Sequence, residues 1–241
     1  MTVILEAKNL TKSYGGVRVV DDLSVSLIQG EALGVVGPNG AGKTSMLNLL
    51  TGMVHPDSGK VVFAGRDISH MPPEKRCHLG LGRTYQIPRP FEGMTVFENV
   101  LVGATYGRNQ SEKASYELCA LALDRTSLLP RANVLAESLS LLERKRLELA
   151  RALAIEPKVL LLDEIAGGLT EHEVQSLIET IKGLRSEGIT IIWIEHIVHA
   201  LLAVVDRLIA LDFGKLIAEG DPKTVINSPE VRDVYMGSMA P

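Results

Sequence analysis

Eight consecutive residues, Gly37-Pro38-Asn39-Gly40-Ala41-Gly42-Lys43-Thr44, constrain this chain more than any other feature. They fit the pattern G-x-x-x-x-G-K-[ST], whose spacing follows from phosphate chemistry. Glycines let the backbone wrap closely round phosphate oxygens because no side chain blocks the approach. Successive backbone N–H groups then form an anion nest. A helix starting after the loop adds about half a positive charge at its N-terminus. Lys43 is placed to reach the β- and γ-phosphates of a nucleotide, and the Thr44 hydroxyl to ligate Mg2+. Ser45 completes the expected binding set. The flanks agree with this reading, because Ala32 to Val36 is a short apolar run of strand type and Met46 to Leu50 is helix-like.

A second element complements the first. Lys158 to Glu164 reads Lys-Val-Leu-Leu-Leu-Asp-Glu. A buried apolar strand ending in two carboxylates is costly unless those carboxylates work. In phosphoryl transfer, Asp163 would hold Mg2+ through water, and Glu164 would polarise the attacking water as general base.

The rest of the chain supplies a scaffold for these two. The first thirty residues are strand-like, and Leu23, Val25 and Leu27 alternate as in a half-buried strand. Val61 to Phe63 reads as another strand. Pro88 and Pro90 break the chain, and mostly helical sequence follows to about residue 154. Val159 to Leu162 and Ile189 to Ile194 read as buried parallel strands. Between them, Val174, Leu177, Ile178, Ile181 and Leu184 repeat at helical spacing behind a Thr170/Glu173 capping box, and Gly188 closes the helix. Arg207 to Glu219 reads as a hairpin turning at Phe213-Gly214. Strand–helix–strand alternation implies a parallel sheet with right-handed crossovers. The expectation is one domain over 1–241, with an α/β core at 1–86 and 155–241 and a helical insertion at 87–154.

Composition narrows the partners. Lys+Arg 25 against Asp+Glu 29 leaves a net charge of −4, without the basic surplus of a phosphate-neutralising nucleic-acid binder. Aromatic residues at 4% argue against base-stacking platforms. No nucleic-acid partner is expected. Cys77 and Cys119 match no metal or redox spacing, so a disulfide framework is excluded and a reducing compartment expected. The first residues lack a basic segment followed by an apolar one, so no signal peptide is expected. The most apolar stretch, Ile197 to Leu211, is interrupted by His199, Asp206 and Arg207 and is too short to span a bilayer.

With these motifs in family order over nearly its whole length, the chain resembles the ATP-binding subunits of ABC transporters. The resemblance implies a P-loop NTPase core with an N-terminal antiparallel β subdomain and an inserted helical subdomain. It implies ATP and Mg2+ as ligands. It places Tyr14, in Lys12-Ser13-Tyr14-Gly15-Gly16, against adenine, and Gln86, in Arg83-Thr84-Tyr85-Gln86, beside Mg2+ and the attacking water. His196, in Ile192-Trp193-Ile194-Glu195-His196, matches the switch histidine at the γ-phosphate, and Gly167 to Thr170 the loop that touches the opposite subunit. His172 reads as part of a solvated first helical turn, and His196 with His199 as no metal pair, because a third ligand is missing. The implied partners are a second ABC ATPase subunit, transmembrane permease subunits at the cytoplasmic face of the membrane and, indirectly, a solute-binding protein. The segment from about 87 to 100 is expected to grip the permease.

One element departs from the family. The signature Leu-Ser-Gly-Gly-Gln becomes Leu139-Ser140-Leu141-Leu142-Glu143. Ser140 keeps its hydroxyl for a partner's nucleotide in trans, but Leu142 replaces a glycine that admits the γ-phosphate, and Glu143 brings negative charge towards a polyphosphate. The basic run Arg144 to Arg146 reads as a solvated helix face. Arg83 to Ile87, Met94 to Val100, Asp163 to Thr170 and the tail Val234 to Gly237 look most like the branched-chain amino acid uptake subgroup. The expected function is therefore ATP hydrolysis that energises an importer. The alternatives are a nucleotide-binding regulatory half-site with little turnover, an ABC protein of DNA repair or translation, and a P-loop small-molecule kinase.

Overall fold

The structure, a computed structural model, describes residues 2–237, with side chains through Val234. The chain opens with β1 (Val3–Tyr14), β2 (Val17–Ile28), β3 (Ala32–Val36), α1 (Lys43–Thr51), β4 (Ser58–Phe63), β5 (Arg66–Asp67) and α2 (Pro73–His78). Next come β6 (Leu81–Arg83), α3 (Val96–Arg108), α4 (Glu112–Arg125), α5 (Leu141–Leu153), β7 (Val159–Asp163) and α6 (Glu171–Ser186). It closes with β8 (Thr190–Ile194), α7 (Val198–Leu202), β9 (Arg207–Asp212), β10 (Lys215–Gly220), α8 (Pro222–Asn227) and α9 (Pro229–Gly237). Two compact units form, one from Met1–Arg76 with Thr190–Pro241 and one from Cys77–Ile189.

The first unit holds two sheets. The period-2 pattern of β2 buries Leu23 and Leu27, and β2 joins an antiparallel sheet in the order β2-β1-β4-β5. The all-apolar runs behave differently, as burial on both faces requires. Every residue of β3 and β8 is buried, and β3 lies parallel to β8 on one side and β9 on the other. The hairpin β9–β10 turns at Phe213 (φ 42°) and Gly214 (φ 80°), the two positive angles a type I′ turn needs. The apolar stretch from Ile197 to Leu211 divides into α7 and β9, with Arg207 turned to Glu31 Oε1 (2.6 Å) and to Glu219. α2 escaped the sequence because a helix this short shows no period. Its Arg76 is buried and donates to the carbonyls of Leu49 (2.7 Å) and Leu50 (2.8 Å), the last turn of α1, and to those of Ser69 and Met71.

The second unit carries α3, α4 and α5, which fall within the expected helical stretch 87–154, together with the parallel pair β6–β7 and α6. α6 buries Val174, Leu177, Ile178, Ile181 and Leu184, the residues its period singled out, and the Thr170/Glu173 capping box starts it. The same box recurs at Thr95/Glu98 on α3 and Ser140/Glu143 on α5. The tail Val234 to Gly237 lies in α9, and its side chains beyond Val234 are outside the described residues. No helix among the described residues is long and apolar enough to cross a membrane.

Candidate functional site

The glycine loop connects β3 to α1 in the first unit. At Gly37 (φ 152°) a Cβ would stand 2.3 Å from the Leu211 carbonyl oxygen, and at Gly42 (φ 98°) 2.4 Å from that of Val19. Glycine is therefore required at both positions by neighbouring backbone. Gly40 (φ 82°) faces open space. Lys43 is buried, and its Nζ donates to the carbonyls of Gly37 (2.7 Å) and Pro38 (3.0 Å). Those bonds offset the desolvation of the ammonium. Thr44 is exposed and Ser45 half-buried in the first turn of α1. A hydroxyl side chain closes the N-terminus of each of α3, α4, α5 and α6, whereas α1 has no side-chain cap and no acid in its first turn. Its N–H groups stay directed at the loop, the arrangement an anion needs.

Two further expected residues lie in this unit. Tyr14 ends β1 half-exposed, with Lys12 Nζ 5.7 Å from its ring centroid. His196 follows β8, where Val35 of β3 pairs in parallel with Ile194. It thus emerges at the same end of the sheet as the glycine loop, the end where ligands of parallel α/β sheets collect.

The carboxylates lie in the second unit with Gln86. Asp163 ends β7 buried, and its Oδ2 accepts from Arg83 Nη2 at 2.8 Å. Glu164 follows with φ 46°, a left-handed conformation uncommon for a residue with a side chain and typical of functional sites. Its Oε2 accepts from Gln86 Nε2 at 2.6 Å. Gln86 and Glu164, chosen for water activation, are therefore hydrogen-bonded partners. Among the described residues no group of three or more His, Cys, Asp or Glu could hold a metal. The oxygen donors of Gln86 and Asp163 in this unit, and that of Thr44 in the first, are each of the hard type that Mg2+ takes.

The altered signature opens α5. Ser140 Oγ accepts from Glu143 N (3.3 Å), and Glu143 Oε2 accepts from Ser140 N (2.9 Å). The other oxygen of Glu143 lies 3.1 Å from Arg131 Nε. The carboxylate expected to face a polyphosphate is turned back onto its own helix. Leu141 is exposed, and a Cβ at Gly168 would stand 3.2 Å from its Cδ2.

The basic run after the signature corrects an expectation. Lys145 is buried rather than solvated, and its Nζ donates to the carbonyls of Gln86 (2.6 Å) and Glu164 (3.4 Å). Arg144 donates to the carbonyls of Leu139 and Glu137, and Arg146 to Ser176 Oγ. Arg83 had no role in the sequence reading beyond its place before Gln86, and its guanidinium is the partner of Asp163. The signal available for Lys145 was its i−4 spacing from Leu149, which puts the two on one face of the helix.

Residues 20–167 match the family model for ABC transporters. The chain belongs to the ABC transporter family. A second model, described as branched-chain amino acid ATP-binding cassette transporter, matches residues 215–241 of the cassette. Over 234 residues the cassette is 36% identical to the lipopolysaccharide export system ATP-binding protein LptB of Haemophilus influenzae, covering 97% of each chain. Over 251 residues it is 34% identical to the high-affinity branched-chain amino acid transport ATP-binding protein LivG of Salmonella typhimurium, covering 97% of this chain and 98% of that one. A crystal structure of a nucleotide-free ATP-binding cassette from an ABC transporter superposes with a TM-score of 0.90 at 30% identity, covering 97% and 99%. The cassette is thus an ATP-binding, ATP-hydrolysing transporter subunit with the P-loop ABC ATPase fold, as its motifs implied.

Proposed function

We propose that the cassette energises an importer of branched-chain amino acids or a related small solute, from the cytoplasmic face of the membrane. The match of residues 215–241 to the branched-chain model carries this reading. The 36% identity to a protein named for lipopolysaccharide export makes direction and solute the points to test.

The residues divide the chemistry among them. Tyr14 stacks on adenine. The loop from Gly37 to Thr44, with Ser45 and the Lys43 ammonium, binds the phosphates. Thr44, Gln86 and Asp163, the last through water, would hold Mg2+, which offsets phosphate charge when bound. Glu164 takes a proton from the attacking water as the new bond to the γ-phosphorus forms and the bond to the bridging oxygen breaks, releasing ADP. Gln86, bonded to Glu164 Oε2, orients that carboxylate. His196 contacts the γ-phosphate. A second ATPase subunit closes over the nucleotide, because ATP that contacts both subunits favours the closed pair. A groove of about 600 Å³ lined by Phe97, Leu101, Tyr106 and Tyr116, with Tyr106 76% exposed, supports docking of a permease segment on the helical insertion. The solute-binding protein acts through that permease.

Mg-ATP hydrolysis by the purified chain across a concentration series, with Glu164→Gln as control, tests the chemistry. Steeply concentration-dependent turnover that Glu164→Gln abolishes while ATP still binds is expected. Normal turnover in the variant would remove Glu164 from its role. Leucine uptake into vesicles bearing the cognate permease tests direction and solute together, and its absence would overturn the branched-chain reading.

A second reading draws on the signature. Leu141, Leu142 and the closed Ser140/Glu143 box favour a subunit whose own signature contributes little, a regulatory half-site beside a partner with an intact one. ATP binding without turnover, at every concentration of the chain alone, is its mark.

A further inference from the structure

Resting on the ATPase reading, we propose that Lys145 is a positioning residue for hydrolysis and that, with Glu148 and Arg151, it holds the segment carrying Gln86 against α5. The three residues stand three apart, on one face of the helix. That face is buried at Lys145 (3% exposed) and Glu148 (6%), where two charged groups are costly unless each is bonded. Each of the three is bonded to the segment that begins at Gln86. Lys145 Nζ donates to the Gln86 carbonyl (2.6 Å). Glu148 Oε1 accepts from Arg89 N (3.0 Å) and Arg151 Nη1 (3.1 Å). Arg151 Nη1 donates to the Arg89 carbonyl (3.0 Å), and its guanidinium lies 4.9 Å from the Phe91 ring centroid.

The segment needs such support because it has no ladder of its own. Residues 84–91 form neither helix nor strand, and Pro88 and Pro90 carry no N–H. Side chains of α5 take up main-chain groups that secondary structure would otherwise satisfy. Lys145 also reaches the Glu164 carbonyl (3.4 Å), while the Gln86 side chain holds Glu164 Oε2 (2.6 Å). One ammonium therefore ties together the backbones of the two residues assigned to water activation, one of them at a positive φ.

The test compares wild type with Lys145→Met, Lys145→Gln and Lys145→Arg in the full chain. Turnover, KM, equilibrium binding of a fluorescent ATP analogue and amide hydrogen exchange are read for each. Loss of the tie is expected to lower kcat by about 10- to 100-fold, the cost of small misplacement of reacting groups. ATP-analogue affinity stays within about threefold, since ground-state binding is untouched. Amides of 86–91 exchange faster while α5 stays protected, and Lys145→Arg recovers turnover. Unchanged kcat in a folded Met or Gln variant, or unchanged exchange at 86–91, overturns the proposal. Global loss of protection in both variants would make Lys145 a stability residue and overturn it as well. Absence of turnover in wild type would count against the ATPase reading instead, and exchange at 86–91 would still decide whether Lys145 holds that segment.

Discussion

Lys43 shows how a single residue can be both legible and constrained. Its place in G-x-x-x-x-G-K-[ST] announced a phosphate ligand, and the structure holds its ammonium on the Gly37 and Pro38 carbonyls of the same loop. An incoming phosphate exchanges neutral acceptors for a charged one, a stronger bond. Lys43→Met should therefore weaken ATP binding by at least about tenfold, the loss of one charge-assisted bond. Equilibrium titration with a fluorescent nucleotide measures this, and a denaturant midpoint close to wild type would separate it from misfolding. Arg76 and Arg83 were not legible. In sequence each is a charge in a polar neighbourhood, and nothing local says that carbonyls or a carboxylate from distant segments will bury it. The positive φ of Glu164 was equally hidden, because the sequence offers no glycine there to mark it.

Among elements, the strands and the longest helices were read correctly where one period dominated. β3, β7 and β8 are apolar but for Asp163 at the end of β7 and Thr190 at the start of β8, and α6 follows a clean helical repeat. α2, α7 and the single-turn helices at Leu129–Arg131 and Ala136–Ser138 are too short to show one. Capping boxes were only partly legible. The pattern at Thr170/Glu173 was recognised, whereas the same pattern at Ser140/Glu143 lay inside a motif and was read for its motif. These boxes make the helices pH-dependent. The Glu98 carboxyl is held below its usual range by the backbone N–H of Thr95, and that of Glu173 by the backbone N–H of Thr170. A carboxylate with a depressed folded pKa stabilises fully above its unfolded value, and that contribution is lost as pH falls through the folded value. Acidification below about pH 4.5, the ordinary glutamate range, should lower the melting temperature of wild type more steeply than that of a Glu98→Gln, Glu173→Gln double variant. Parallel slopes from pH 6 to pH 3 would show that the caps do not carry the effect.

At the scale of the whole molecule, the motifs specified a P-loop cassette, but the signature does not say whether two copies make a competent pair. Leu142 occupies a position where the family has glycine, at the second residue of α5. If the chain pairs with itself, Leu142→Gly should raise turnover at fixed concentration despite costing the helix up to about 1 kcal/mol. A Michaelis–Menten series on both proteins measures it. Turnover that falls or stays level would point to a different subunit as the natural partner. Order in the first unit was legible because β3, β8 and the hairpin each carry their own pattern. Order in the second was legible for the helices but not for residues 84–91, whose course depends on side chains from α5.

Strand β8 has one more consequence. Trp193, the single tryptophan of the chain, pairs with Gly34 of β3 three residues before the glycine loop, and its indole N–H is buried with no hydrogen-bond partner among the described residues. Three residues further on stands His196. A chromophore in so dry a setting emits at short wavelength and responds to small changes in its surroundings. Every photon of tryptophan light from this protein thus originates between the loop that would hold phosphate and the histidine that would sense it, a native optical gauge that requires no label.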